Sequence, residues 1–250
     1  MKARILSIIF SLFIFISISA QPQPNYGPNG FCFTPRGEFR MLVVFVGYGD
    51  NDTLLPDSMI SNWPASQPFP TDVMQGKVFY TDYSQFNDSI DPVNDRENIS
   101  RWFYEQSNKT FKLIADTIRV NIQGDPYTRV WSVPAVLQEL SKLHQSNHRF
   151  NWEDYDKRQN NPLFKNDYSA YNPDNEVDYL AIIYRNHRNQ NEVHASTGLR
   201  LNNTTDTLDG YTFENVPLFI QNRGATKVWN LFQHEVGHHL ISIGEYGVHL

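Results

Sequence analysis

V-D-Y-L-A-I-I-Y, from Val177 to Tyr184, is apolar or aromatic at every position but Asp178. A strand with one wet face alternates polar and apolar side chains. This one does not, so it is expected to be buried on both faces, in the middle of a mixed sheet with helices around it. Met41–Val46 (MLVVFV) has the same character and ends in Gly47-Tyr48-Gly49-Asp50, so it reads as a buried strand running into a loop. Phe111–Ile122 (FKLIADTIRVNI) alternates well enough for a long strand, which Gly124-Asp125-Pro126 ends. Between these runs, Ile99, Trp102 and Phe103 fall at helical spacing within Glu97–Gln106, and these aromatics with Tyr104 read as core. Val136, Leu137, Leu140 and Leu143 share a face within Pro134–His144, with Ser132 as a candidate N-cap. Residues 51–95, full of Asp, Asn, Pro and Ser, read as a surface excursion, and 148–176, polar and rich in Asn and Asp, as loop. Val216–Gln221 is a short β-like piece. A last helix is expected over Thr226–Leu240, with Val228, Leu231, Phe232 and Leu240 on its buried side. Strands interleaved with helices, with no internal repeat, give a single α+β domain.

Composition narrows the class. Apolar residues make up 40% of the 250 and aromatics 14%, enough for a core and against wholesale disorder. A formal charge of −6 argues against nucleic acid as a partner, since phosphates call for clustered Lys and Arg. The single cysteine, Cys32, excludes an intramolecular disulfide. Residues 1–20 (MKARILSIIFSLFIFISISA) combine a basic start, an apolar run and a small-residue exit, which is the pattern of a secretory signal peptide. The run falls short of the roughly 20 apolar residues that span a bilayer. The mature chain is therefore expected to be secreted, with no membrane association after leader removal. Residues 21–37 read as an extended N-terminal segment and 38–250 as the functional domain.

The chemistry sits in the last helix, as His234-Glu235-Val236-Gly237-His238. Four residues advance a helix by about 400°, so His234 and His238 lie on one face, one turn apart. Two imidazoles so placed suit one Zn²⁺ as ligands. Glu235, about 100° round from His234, is the candidate general base and acid that deprotonates a metal-bound water. Composition alone supplies roughly 0.01 such pentapeptides in a chain of this size, so the motif is informative. Gly237, where a helix prefers Ala, suggests close approach of another segment.

Gln233–Leu240 (QHEVGHHL), with Glu245-Tyr246 after it, resembles the immune inhibitor A family of secreted zinc metallopeptidases. Met41–Asp50 (MLVVFVGYGD) is similar to that family's opening strand. Ile99–Val120 resembles its helix-then-strand segment, and Asn151–Asp156 (NWEDYD) and Val177-Asp178 match its style. The resemblance spans residues 38–250 loosely. It implies a zincin-like fold, a mixed twisted sheet with an active-site helix carrying HExxH, together with zinc and endopeptidase activity on protein or peptide substrates. The family, like metzincins generally, tends to place Gly three residues and Asp or His six residues after the second His. Here those positions are Ile241 and Gly244. The third zinc ligand is then Glu245, His249, or a residue outside this chain. His239 faces another side of the helix. With so few residues after His238, the chain is expected to be the N-terminal part of a longer catalytic domain.

Other candidates are weaker. Cys32 is placed to act as a latency thiolate, against the simpler reading of a small buried residue. Asp154, Asp156, Asp167, Asp174 and Asp178 suit Ca²⁺ by ligand type, but lack EF-hand spacing, which favours solvated loop carboxylates. His187 and His194 are placed to line a cleft or simply to sit at the surface. Asn51, Asn87, Asn98, Asn108, Asn202 and Asn203 each begin an Asn-x-Ser/Thr sequon. Val216–Gln221 is a candidate edge to which an extended substrate adds. The expected function is a secreted zinc-dependent endopeptidase. The competing class is a secreted zincin-like binding or adhesion module without catalysis, motivated by Ile241 and Gly244.

Overall fold

A computed structural model describes residues 36–58, 60–87, 98–127, 132–147, 150–157, 173–185, 195–196, 208–213, 218–221 and 228–241. The signal-peptide and N-terminal-segment readings, and the candidates Cys32, Asp167, His187, His194, Glu245 and His249, lie outside them. No helix among the described residues is long and apolar enough to cross a membrane.

The frame is a mixed α/β sheet of five strands, β1 (Gly37–Gly47), β2 (Phe111–Asn121), β3 (Leu180–Arg185), β4 (Ala195–Ser196) and β5 (Leu218–Gln221), in spatial order β2-β1-β3-β5-β4. β1 pairs in parallel with β2 along its whole length, from Gly37 opposite Phe111 to Gly47 opposite Asn121. It pairs in parallel with β3 from Leu42–Leu180 to Val46–Tyr184. β3 pairs in parallel with β5, and only β4 runs antiparallel. A parallel sheet needs cover on both faces, and the sequence supplies it. Met41, Val43 and Phe45 of β1 and Ala181 and Ile183 of β3 point into one core layer. Leu42, Val44, Val46, Leu180 and Ile182 point into the other. That is why neither run alternates, and β3 is buried at every position.

Four helices, α1 (Thr71–Met74), α2 (Ile99–Gln106), α3 (Val133–Asn147) and α4 (Val228–Ile241), complete the layers. On the Met41 face lie Ile99 and Phe103 of α2 and Trp229, Phe232 and Val236 of α4. On the Leu42 face lies α3, through Val136, Leu137 and Leu140. Asn98 starts α2, its Oδ1 accepting from the Arg101 N–H at 2.9 Å. Ser132 caps α3 as expected, accepting from the Ala135 N–H at 3.2 Å.

Two expectations fail here. Residues 51–95 are not merely a surface excursion: Leu55, Ile60, Trp63, Val78 and Phe79 from that segment are buried in the core. The Trp63 ring packs edge-on to Phe45 at 5.4 Å. These apolar residues come in patches of at most three, the longest Val78-Phe79-Tyr80, with neither a two-residue nor a 3.6-residue period, so periodicity does not find them. The second failure concerns Val216–Gln221, whose strand β5 is an interior strand between β3 and β4. The outer edge on that side is β4.

Candidate metal centre

α4 begins after β5 and returns across the Met41 face of the sheet. Trp229, Phe232 and Val236 are its core stripe, at the i, i+3, i+7 spacing of one helix face. Phe79 meets Trp229 at 5.7 Å and Phe232 at 5.4 Å, both edge-on, and Trp229 also meets Phe45. The Trp229 indole N–H donates to Asp72 Oδ2 of α1 at 2.5 Å, tying the first turn of α4 to a segment far away in sequence. This anchor escaped sequence reading because nothing around Asp72 marks it as a partner.

The helix geometry follows from that stripe. At about 100° per residue, His234 and His238 fall roughly opposite the core stripe, and Glu235 falls between the two sides. His234 is half-buried and Glu235 buried. The side chain of His238 lies outside the described set, although its backbone is helical. Among the described residues no segment closely approaches Gly237, and a Cβ there would meet none of their atoms within 4 Å. Burial alone pushes the Glu235 carboxyl up to about 7. Near it lies Tyr179, fully buried just before β3. Its hydroxyl is pushed well above the ordinary value, by burial first and by the Glu235 carboxylate second. In the sequence Tyr179 is marked only as part of an apolar strand run.

The donor set fits a zinc ion: two imidazole positions one turn apart, next to a desolvated carboxyl that no basic side chain among the described residues offsets. Among the described residues no three His, Cys, Asp or Glu side chains converge as a metal site. Of the expected ligands only the His234 side chain belongs to that set.

The acidic loop does something other than expected. Asp156 and Asp178 are not solvated but buried. Asp156 accepts from the backbone N–H groups of Asp174 and Asn175 at 3.0 and 2.9 Å, and Asp178 from that of Lys157 at 2.9 Å. These carboxylates clasp the approach to β3, and Asp174 accepts from the Glu176 N–H at 3.1 Å. Asn98 is 1% exposed, so its sequon is closed to glycosylation and the residue serves as a cap.

No protein-family model matches the chain, and no curated protein matches it.

Proposed function

We propose that the chain is a secreted zinc-dependent endopeptidase with a zincin-like fold. The observation that carries this reading is the HExxH motif on α4, a helix held to the sheet by Trp229, Phe232 and Val236 so that the two histidine positions face away from the core and Glu235 sits at the boundary. A sheet of order β2-β1-β3-β5-β4 with one antiparallel edge, flanked by this helix, supports the fold assignment.

In this reading His234 and His238 hold the ion, and Glu245 or His249 is the third ligand. Zn²⁺ so held supplies a Lewis acid and lowers the pKa of its water. Glu235 takes a proton on its carboxylate oxygen and later returns it to the leaving amine. Its buried place one residue from His234 suits that exchange by geometry, within reach of the ion the histidines would hold. β4 and β5 both lie against α4. The antiparallel edge strand Ala195–Ser196 therefore offers main-chain groups to an extended peptide beside the helix.

The test is casein hydrolysis by the full chain and by Glu235→Ala. Cleavage that falls by about 10²–10⁴-fold in the variant supports the proposal. Retained zinc with no cleavage in either form assigns the chain to the non-catalytic binding class instead.

A further inference from the structure

We propose that the outer edge of β2 is a docking groove for an extended, uncharged polypeptide segment. This inference is independent of the zinc reading and concerns the side of the sheet away from β4.

β2 is an edge strand. The Ile122 N–H turns inward to the Gly47 carbonyl at 2.9 Å, whereas the Ala115 N–H turns outward to the Tyr80 carbonyl at 2.9 Å. Backbone groups of a strand alternate in direction, so Thr117 and Arg119, like Ala115, present both N–H and C=O outward. Among the described residues Tyr80 pairs with the edge at Ala115, and no backbone–backbone hydrogen bond reaches Thr117 or Arg119 on that side, although the Arg119 guanidinium donates to the Pro68 carbonyl at 3.0 Å. Two outward residues about 6.6–6.8 Å apart match the repeat of an added strand.

The uncovered stretch lies in a groove of about 650 Å³, to which four consecutive β2 residues, Asp116 to Arg119, contribute. Phe69 and Thr81 wall one side, and Phe150 and Tyr155 the other. Because these side chains flank the edge, a single extended segment is the occupant that fits between them. Each charge lining the groove has an opposite partner, Asp154 at the rim having Lys157 at 4.0 Å. Arg40 Nε pairs with Asp116 Oδ2 at 2.7 Å, the Tyr155 hydroxyl donates to the same oxygen at 2.8 Å, and Arg119 is paired with Asp52. An occupant with uncharged side chains, apolar toward Phe69 and polar toward Tyr155, complements it.

The experiment uses the full chain carrying Glu235→Ala, which removes any cleavage. The probe is a fluorescein-labelled, end-capped decapeptide of alternating Thr and Val, with a control N-methylated at every second residue. Binding is read by fluorescence anisotropy, and backbone protection by hydrogen exchange at Thr117 and Arg119. Thr117→Pro removes an outward N–H without touching the β1 ladder, and Thr81→Trp narrows the groove from its exposed rim. The expected result is saturable binding that slows exchange at both amides, is lost with the N-methylated control, and weakens about tenfold in each variant at unchanged Tm. The proposal is overturned if the probe does not bind, or binds equally well to both variants. It is also overturned if both amides are already protected without peptide, or if sedimentation shows a dimer that Thr117→Pro dissolves.

Discussion

At the carboxyl ends of β1 and β3, Asp52 and Arg185 are buried and Arg119 nearly so. Asp52 is 2% exposed and Arg185 0%, yet their charges are met. Asp52 accepts from the Tyr48 N–H at 3.1 Å and pairs with Arg119. Arg185 donates to the carbonyls of Trp63 and Asp52 at 2.9 and 2.7 Å and reaches Asp57 at 3.4 Å. Gly47 belongs to this arrangement, since a Cβ there would fall 1.7 Å from an Arg119 nitrogen. On α4 the situation is reversed: Glu235 is buried, and no basic side chain among the described residues offsets its desolvation. Buried charges that answer one another belong to the architecture. A buried carboxyl raised by desolvation alone is in keeping with the proposed role of Glu235.

The comparison breaks most visibly at Arg185. Arg185→Ala leaves the buried Trp63 and Asp52 carbonyls without their donor, and urea denaturation should show a loss of about 2–5 kcal/mol. A loss under 1 kcal/mol would mean that the clasp is not the anchor it resembles. Glu235 predicts an effect of the other kind. Its folded pKa lies above the ordinary value of 4.5, at about 7. The folded state therefore holds a proton that the unfolded state has released, and this contribution to stability is present below about 4.5 and lost as pH rises through about 7. In chelator-treated protein, denaturation midpoints should fall over that range in the wild type, and less steeply in Glu235→Gln. Parallel slopes would count against a desolvated Glu235.

Much of the sheet was legible because burial on both faces leaves a continuous apolar signature in Met41–Val46 and Val177–Tyr184. The α4 motif was legible because its ligand spacing equals the helical turn. The core contribution of Trp63 and Phe79 was not, because a single apolar residue or a run of three in irregular backbone shows no period. Nor were the Asp156 and Asp178 clasps, because a carboxylate that caps backbone amides has the same composition as one that faces water. Pairings such as Trp229 with Asp72 join residues that are remote in sequence, and only tertiary packing brings them together.

The smallest effect comes from Gly237. Its site is open among the described residues, so Gly237→Ala should raise helix stability by up to about 1 kcal/mol, seen as a small rise in Tm. A fall in Tm would show that a segment does approach there.

Metal analysis tests the central claim most directly. After exhaustive dialysis against metal-free buffer, the wild type and Glu235→Gln should each retain about one zinc per chain, whereas His234→Ala and His238→Ala retain none above background. Zinc that stays bound without either imidazole, or never binds with both present, would contradict the account.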